Sequence, residues 1–182
     1  MKYDYYYVTN LYSSDECSFI KNKFLSNLQN DVTDMASKNA TKTASVQFCD
    51  WSVLWEELDL FHHAVMTINH EYFGLDLHER SKFNLLNLNT YDSANKGEYT
   101  WHKDASLGGS SDIKLTAILN ISDGHYEGGD FQFFLDGEET IEAIHNSGSL
   151  LVFPGFINHR VLPVTKGKRN TISYWYSGPA WK

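Results

Sequence analysis

The feature that most restricts the possible folds is a succession of short β-type segments from about residue 82 to the C-terminus. Each segment is rich in aliphatic and aromatic residues and ends at a turn with Gly, Asn or Asp, which is typical of closely spaced strands. We predict about eight strands, at 82–91, 98–102, 113–121, 130–135, 140–145, 149–153, 157–161 and 170–177. This number and spacing favour a mainly β sandwich or barrel of the jelly-roll type.

The N-terminal part of the chain has a helical pattern instead. Residues 13–30 are predicted to form a helix, because Ser13 and Glu16 fit a capping box and apolar residues follow at helical spacing. A second, longer helix is predicted over 50–74, where one apolar stripe that includes Trp55 precedes Gly74, a typical C-terminal stop. Two short strands complete this part, at 5–9 and 43–48.

Length and composition restrict the class of protein. A chain of 182 residues, 42% of them hydrophobic, fits one domain over 1–182, with a helical part at about 1–80 and a jelly-roll core at about 81–178. The net charge of −8 argues against nucleic-acid binding. Since we find no membrane-spanning run and no secretory signal, we expect a cytoplasmic protein without a membrane partner. Cys17 and Cys49 are expected to be core residues rather than a disulfide framework.

His102 and Asp104 are the first candidates for chemistry. They stand two residues apart at the end of a predicted strand, so both side chains can reach one metal ion. Two histidines and a carboxylate on one face are the ligands of mononuclear Fe(II) oxygenases, and zinc hydrolases use similar sets. His159, after a buried strand and a turn, is the favoured second histidine. Five other histidines are interpreted as solvated polar residues on a helix or in turns: His62, His63, His70, His125 and His145.

Arg169 begins the last predicted strand, ten residues after His159. Because side chains alternate along a strand, one face is expected to carry Arg169, Thr171, Ser173 and Trp175. An arginine that faces the interior needs an anionic partner, and its planar fork suits a carboxylate. That partner is either a core Asp or Glu or the carboxylate of a bound molecule.

With these residues in this order, the sequence resembles the 2-oxoglutarate- and Fe(II)-dependent dioxygenases of the prolyl 4-hydroxylase-like branch, and especially the bacterial PKHD-type hydroxylases. The resemblance covers about residues 83–178 and is carried by YDSANKGEYTWHKDAS, LTAILNISDGHYEGGDFQF and GSLLVFPGFINHRVLPVTKGKRNTISYW. It implies a double-stranded β-helix flanked by helices. It also implies Fe(II) as cofactor, 2-oxoglutarate and dioxygen as cosubstrates, and ascorbate as a supporting reductant.

The resemblance also implies roles for individual residues. The iron ligands would be His102, Asp104 and His159, and Arg169 would bind the distal carboxylate of 2-oxoglutarate. Further cosubstrate contacts are expected from Tyr91, Thr171, Ser173 and Asn120. Asn120 departs from the family pattern, because some members have a longer tyrosine at that position. The substrate pocket is expected to be bordered by Tyr99, Trp101 and Trp175, with the loop 105–112 as a mobile lid.

The implied reaction is hydroxylation of a C–H bond with release of succinate and CO2. Asp104 favours hydroxylation over halogenation, since related halogenases have a small residue in its place. The branch implies a prolyl or other peptidyl substrate, and a free amino acid or other small molecule is the alternative. Two further classes fit the residues: a zinc-dependent hydrolase or cupin-type enzyme, which leaves Arg169 without a role, and a non-enzymatic jelly-roll binding module. The oligomeric state is not indicated.

Overall fold

The computed structural model describes residues 3–28, 41–78, 84–105 and 112–180. Within these ranges the strands are β1 (Tyr6–Val8), β2 (Lys42–Thr43), β3 (Ser45–Asp50), β4 (Leu85–Asp92), β5 (Glu98–His102), β6 (Ile113–Asn120), β7 (Glu127–Gly128), β8 (Phe131–Phe134), β9 (Glu138–Thr140), β10 (Leu150–Pro154), β11 (His159–Val161), β12 (Val164–Lys166) and β13 (Lys168–Ser177). The α-helices are α1 (Ser14–Leu25) and α2 (Asp59–Ile68). Short 3-10 turns occur at Trp51–Leu54, Ser93–Asn95 and Glu142–His145, and a π-helical turn at Asn69–Phe73.

Most of these strands form two antiparallel sheets. The larger sheet has the order β1-β10-β6-β13-β4-β3, and the smaller sheet has the order β2-β5-β11-β8-β9. From β4 onward the chain passes repeatedly from one sheet to the other, and β7 and β12 form a separate pair beside them. This path confirms the predicted mainly β jelly roll with flanking helices.

The larger sheet is buried on both faces, which explains why every residue of β6 is buried. One face packs against the helices through alternating residues such as Leu115, Ala117 and Leu119. The opposite face carries Ile118 and packs against the aromatic residues of the smaller sheet. Alternation along β6 therefore directs one set of side chains to the helices and the other to the interior between the sheets.

The helices cover the outer face of the larger sheet. The predicted capping box is present, since the Ser13 side chain accepts from the Glu16 N–H and Glu16 accepts from the Ser13 N–H. Cys17 and Cys49 are both fully buried in the cluster that the helices share with the sheet, as expected. Among the described residues, no helix is both long and apolar enough to cross a membrane.

Two predicted elements are wrong in part. The helix expected over 50–74 is interrupted, because the Asp50 side chain caps a 3-10 turn before α2 begins at Asp59. A 3-10 turn and an α-helix rotate by different angles per residue, so the apolar stripe is not continuous and Trp55 is half exposed. The helical segment does end at Gly74, in the left-handed region with φ 62°.

The strand expected over 140–145 is also wrong, because only Thr140 belongs to a strand. Residues Glu142–His145 form a 3-10 turn, and Ile141, which precedes the turn, and Ile144 within it are both buried at a spacing of three residues. Parts of two other predicted elements, residues 29–30 and 82–83, lie outside the described residues.

Candidate active site

Two neighbouring strands of the smaller sheet bring His102 and His159 together. His102 ends β5, His159 begins β11, and the two residues are direct cross-strand partners. Asp104 follows two residues after His102, and its backbone N–H donates to the Gly155 carbonyl. The Nε2 atoms of His102 and His159 lie 3.8 Å and 3.7 Å from the two carboxylate oxygens of Asp104. These three side chains are therefore close enough to hold one metal ion.

Each histidine is oriented by the backbone of its own strand. His102 Nδ1 lies 2.8 Å from the Thr100 carbonyl oxygen, and His159 Nδ1 lies 2.9 Å from the Ile157 carbonyl oxygen. A carbonyl oxygen only accepts, so each Nδ1 carries a hydrogen and each Nε2 directs a lone pair toward Asp104. Burial lowers the pKa of both imidazoles, and repulsion from His159 lowers that of His102 further. Both rings are therefore neutral at pH 7, as metal binding requires.

The Asp104 carboxylate is held from the opposite sheet. Thr116, on β6, donates a hydrogen bond of 2.6 Å from its hydroxyl to Asp104 Oδ2. This contact fixes the carboxylate while leaving lone pairs for a cation. Two neutral imidazoles and one oriented carboxylate on the same side of an open position form the donor set that suits non-haem Fe(II).

A β-bulge determines which residues of β5 face the interior. The pairing register between β5 and β11 shifts so that Thr100 and Trp101 stand against Arg160 alone. Tyr99 and His102, three residues apart, consequently share the inner face, with ring centroids 3.4 Å apart and planes 17° from parallel. Tyr99 thus forms a wall of the site directly beside a candidate ligand.

Trp101 points away from the site, which corrects the prediction that it borders the substrate pocket. Its ring lies 4.4 Å from the Arg160 guanidinium and packs edge-on against Phe134, on the outer face of the smaller sheet. The physical reason is the bulge, which turns Trp101 outward and His102 inward. The loop predicted to form a lid includes 106–111, which lie outside the described residues.

The candidate ligands line one cavity between the two sheets. Its lining consists of Lys42, Asn89, Tyr91, Tyr99, His102, Asp104, Thr116, Ile118, Phe131, His159, Val161, Ser173 and Trp175. Of the residues predicted from sequence to contact cosubstrate or substrate, Tyr91, Tyr99, Ser173 and Trp175 are in this lining. Burial raises the pKa of the Tyr91 phenol, which therefore stays a neutral hydrogen-bond donor.

Arg169 lies beyond this cavity, on the side of Phe131. It is 2% exposed, its guanidinium lies 5.6 Å from the centre of the Tyr91 ring, and both Arg169 and Phe131 line a second, smaller pocket. Its Nη2 is buried and has no hydrogen-bond partner among the residues that the structure describes. Gly129 makes room for it, since a Cβ there would lie 3.1 Å from Arg169 Cδ. A buried, unsatisfied guanidinium nitrogen is costly unless an anion binds to it.

Thr171 and Asn120, the two remaining residues predicted to contact the cosubstrate, lie in different surroundings from each other. Thr171 is buried on the same strand as Arg169. The side chain of Asn120 is engaged by the chain itself, because its Nδ2 lies within 3.0 Å of the Tyr126 hydroxyl and of two backbone carbonyls, and its Oδ1 accepts from Ser122. Asn120 therefore fixes the turn that follows β6, and a role in cosubstrate binding stays a prediction.

Lys42 and Asn89 are site residues that sequence reasoning missed. Lys42 Nζ donates to Asn89 Oδ1 at 2.8 Å, and Asn89 Nδ2 donates to Ser173 Oγ at 3.0 Å. This chain of hydrogen bonds connects the smaller sheet to the larger one inside the cavity. Burial lowers the pKa of Lys42 to about 8, while attraction to Asp104 opposes that shift. In the sequence, Lys42 stands just before the residues of β3, where a lysine is normally exposed. The sequence therefore gives no indication that its side chain enters the cavity.

Comparison with known proteins agrees with this site. The model of the family described as 2OG-Fe(II) oxygenase superfamily matches residues 86–177. A PKHD-type hydroxylase of Synechococcus sp. is 34% identical over 79 residues, which cover 42% of this chain and 35% of that protein. One from Xylella fastidiosa is 39% identical over 74 residues, which cover 41% of this chain and 30% of that protein. The chain thus matches about a third of the length of these curated relatives.

Solved structures with the same fold include prolyl hydroxylases. A prolyl 4-hydroxylase of Pseudomonas putida superposes with a TM-score of 0.71 at 19% identity, covering 97% of this chain and 94% of that one. A Trichoplax adhaerens prolyl hydroxylase, solved with a hypoxia inducible factor peptide fragment, has a TM-score of 0.72 at 14% identity, covering 96% and 83%. At these identities the likeness demonstrates the fold.

Proposed function

We propose that this chain, which belongs to the 2OG-Fe(II) oxygenase superfamily, hydroxylates a C–H bond of a prolyl or other peptidyl substrate. The family defines Fe(II) as the cofactor and 2-oxoglutarate as the cosubstrate. The observation that carries the proposal is the group formed by the partly buried His102 and Asp104 and the buried His159, whose ligand atoms all lie within 4.8 Å of one another.

In this proposal His102 Nε2, Asp104 and His159 Nε2 hold the iron. Bound Fe(II), with 2-oxoglutarate and dioxygen, supplies an oxidative decarboxylation that yields succinate and CO2 and hydroxylates the substrate. The two backbone carbonyls keep both Nε2 lone pairs directed at the metal, and Thr116 keeps the carboxylate oriented. The protein's own contribution is thus to orient ligands and cosubstrate in a site shielded from water.

Arg169 would bind the distal carboxylate of 2-oxoglutarate. Its buried guanidinium has an unsatisfied nitrogen. Phe131 lines both the cavity of the ligand residues and the pocket of Arg169, and the Tyr91 ring, which also lines that cavity, lies 5.6 Å from the guanidinium. Thr171 and Ser173, on the same strand, are candidates for supporting hydrogen bonds, and Tyr91 can donate from its neutral phenol. The zinc hydrolase alternative leaves this buried arginine unexplained, and a purely structural jelly roll explains neither it nor the ligand group.

The similarity to PKHD-type hydroxylases supports a peptidyl substrate. The fold shared with a prolyl 4-hydroxylase supports it as well. Tyr99 and Trp175, which line the cavity on opposite sheets, would border the reacting residue. A free amino acid hydroxylated in the same cavity is the competing substrate class.

A substrate screen tests this assignment. The protein is incubated with Fe(II), ascorbate and 2-oxoglutarate, with prolyl peptides in one set of reactions and free amino acids in another. We expect a prolyl peptide to gain one oxygen atom, with one succinate formed per product. The His159→Ala variant serves as the inactive control. Oxygen gain only among free amino acids would refute the peptidyl substrate and retain the enzyme class, whereas succinate-free reactions throughout would contradict both.

A further inference from the structure

The helical side of the molecule carries a groove that the proposed reaction does not use. The groove lies between α1 and the segment that leads into α2, and its volume is about 530 Å³, which is within the range of ligand-binding sites. Tyr12 and Ile20, whose side chains are buried, belong to its lining. None of the described lining residues belongs to the cavity of the candidate metal ligands. The groove is therefore a separate feature, and its use does not depend on the proposed reaction.

Two large apolar side chains of the groove are exposed. Phe19, on α1, is 60% exposed, more than any other large hydrophobic side chain in the described part of the chain. Leu60, in the first turn of α2, is 49% exposed. An outward-facing position of a surface helix normally carries a polar residue, because an apolar side chain there contributes nothing to the core. Exposed apolar side chains from both helices in one groove are typical of a surface that a partner covers.

The remaining lining residues are acidic. They are Asp15, Glu16, Glu56, Glu57 and Asp59, and the described lining contains no lysine or arginine. Glu16 takes part in the capping box, and Asp15 and Asp59 lie in the first turns of α1 and α2, where a negative charge is favourable. The fold thus explains the presence of these three carboxylates.

The fold does not account for Glu56 and only partly accounts for Glu57. Glu56 is exposed, and within the described ranges it makes no ion pair or hydrogen bond. Glu57 binds Lys23 through Oε1 at 2.6 Å, whereas its Oε2 is buried and accepts no hydrogen bond from any described residue. A buried acceptor without a donor indicates a partner group that the described chain does not supply. Both carboxylates therefore favour a cationic ligand in the groove.

The combination of apolar and acidic lining fits lysine and arginine side chains. These side chains have long apolar stems that can cover Phe19 and Leu60, and cationic ends that can reach the carboxylates. Closely spaced carboxylates also create a negative potential that attracts cations and repels nucleic acid and anionic lipids. We propose that this groove is a docking site for a segment of a partner protein in which lysine or arginine alternates with leucine or phenylalanine.

Peptide binding to the whole chain tests this proposal. Fluorescein-labelled capped peptides of equal length are compared by fluorescence anisotropy. The first alternates lysine with leucine and phenylalanine, and the others replace its lysines by glutamine or by glutamate, or its apolar residues by serine. We expect the first peptide to bind about tenfold more tightly than the glutamine and serine versions, because each of these lacks one of the two kinds of contact. The glutamate version should not bind.

Variants of the groove locate the binding. Glu56→Lys and Phe19→Gln change exposed side chains, so the fold should persist, and each should weaken binding of the first peptide about tenfold. The matched controls are Asp136→Lys and Phe134→Gln, which change an exposed carboxylate and an exposed phenylalanine outside the groove. Both controls should bind the peptide like wild type.

Three results of the binding assay would overturn the proposal. They are no binding of any peptide, equal binding of the lysine and glutamine versions, and equal losses in the groove variants and their controls. Sedimentation of the wild type and Phe19→Gln without peptide tests a different occupant. We expect both proteins to sediment alike, whereas a wild-type dimer that Phe19→Gln converts to monomer would replace the proposed partner with a second copy of this chain.

Discussion

His159 stands directly opposite His102 in the β5–β11 ladder, and this pairing directs two imidazoles to one carboxylate. The bulge in β5 places Tyr99 on the same inner face as His102, since a regular register would turn one of the two outward. The site is therefore built by strand register as much as by the identity of its residues.

Removing one ligand should abolish metal binding and preserve the fold. His102 lies at the end of a strand and packs mainly against other site residues, so His102→Ala should lower Mn(II) affinity at least about a hundredfold, beyond the effect typical of outer-shell contacts. Titration calorimetry gives the affinity, and circular dichroism checks the fold. His125→Ala, which changes a histidine that is largely exposed, should bind Mn(II) like wild type. Unchanged affinity in His102→Ala would show that the ligand assignment is wrong.

The hydroxyl group of Thr116 should contribute to metal affinity. Thr116→Val keeps the shape of the side chain and removes the 2.6 Å hydrogen bond to Asp104 Oδ2. Because such contacts orient a metal ligand, Mn(II) affinity should fall by about tenfold. Thr116→Ser, which retains the hydroxyl, should recover most of that loss. If the valine and serine variants bind equally, Thr116 is only a packing residue.

Gly129 should be intolerant of a methyl group. It has φ +68°, and an added Cβ would lie 2.8 Å from Val164 Cγ2 and 3.1 Å from Arg169 Cδ. Gly129→Ala should therefore lower the free energy of unfolding by about 1 to 3 kcal/mol and weaken 2-oxoglutarate binding by displacing Arg169. Gly124→Ala is the matched control, because no atom lies within 4 Å of its Cβ position. Equal stability of the two variants in urea unfolding would argue against a tight fit around Arg169.

Lys42 should destabilise the metal-free protein in a pH-dependent way. Its pKa is lowered from 10.5 to about 8 in the fold by burial, so the cost of the buried charge is fully present below pH 8. Lys42→Met should be more stable than wild type at pH 7, on the order of 2 kcal/mol. Between pH 8 and 10.5 the folded state loses this proton before the unfolded state, so wild type gains stability and the difference shrinks. A difference that stays constant from pH 7 to 10.5 in urea unfolding would contradict this burial.

Sequence patterns predicted the jelly roll well, because alternation and turn residues are local signals that tertiary packing reinforced. The predictions that were wrong depend on local backbone geometry, which residue composition does not determine. The bulge at Thr100 and Trp101 reversed the side on which Trp101 lies, and a side-chain cap at Asp50 interrupted a helix whose hydrophobic pattern looked continuous. Lys42 could not be recognised, since its burial depends on Asn89, a residue distant in sequence.

The most direct test of the account measures succinate formation from 2-oxoglutarate in wild type, Arg169→Gln and Arg169→Lys, alongside Mn(II) affinity. We expect wild type to form succinate only with Fe(II), and Arg169→Gln to raise the KM for 2-oxoglutarate at least about tenfold, since a buried charged contact is lost. Mn(II) affinity should change little, and Arg169→Lys should recover part of the KM effect. No Fe(II)-dependent succinate in wild type, or equal losses of metal and 2-oxoglutarate binding in Arg169→Gln, would contradict the account.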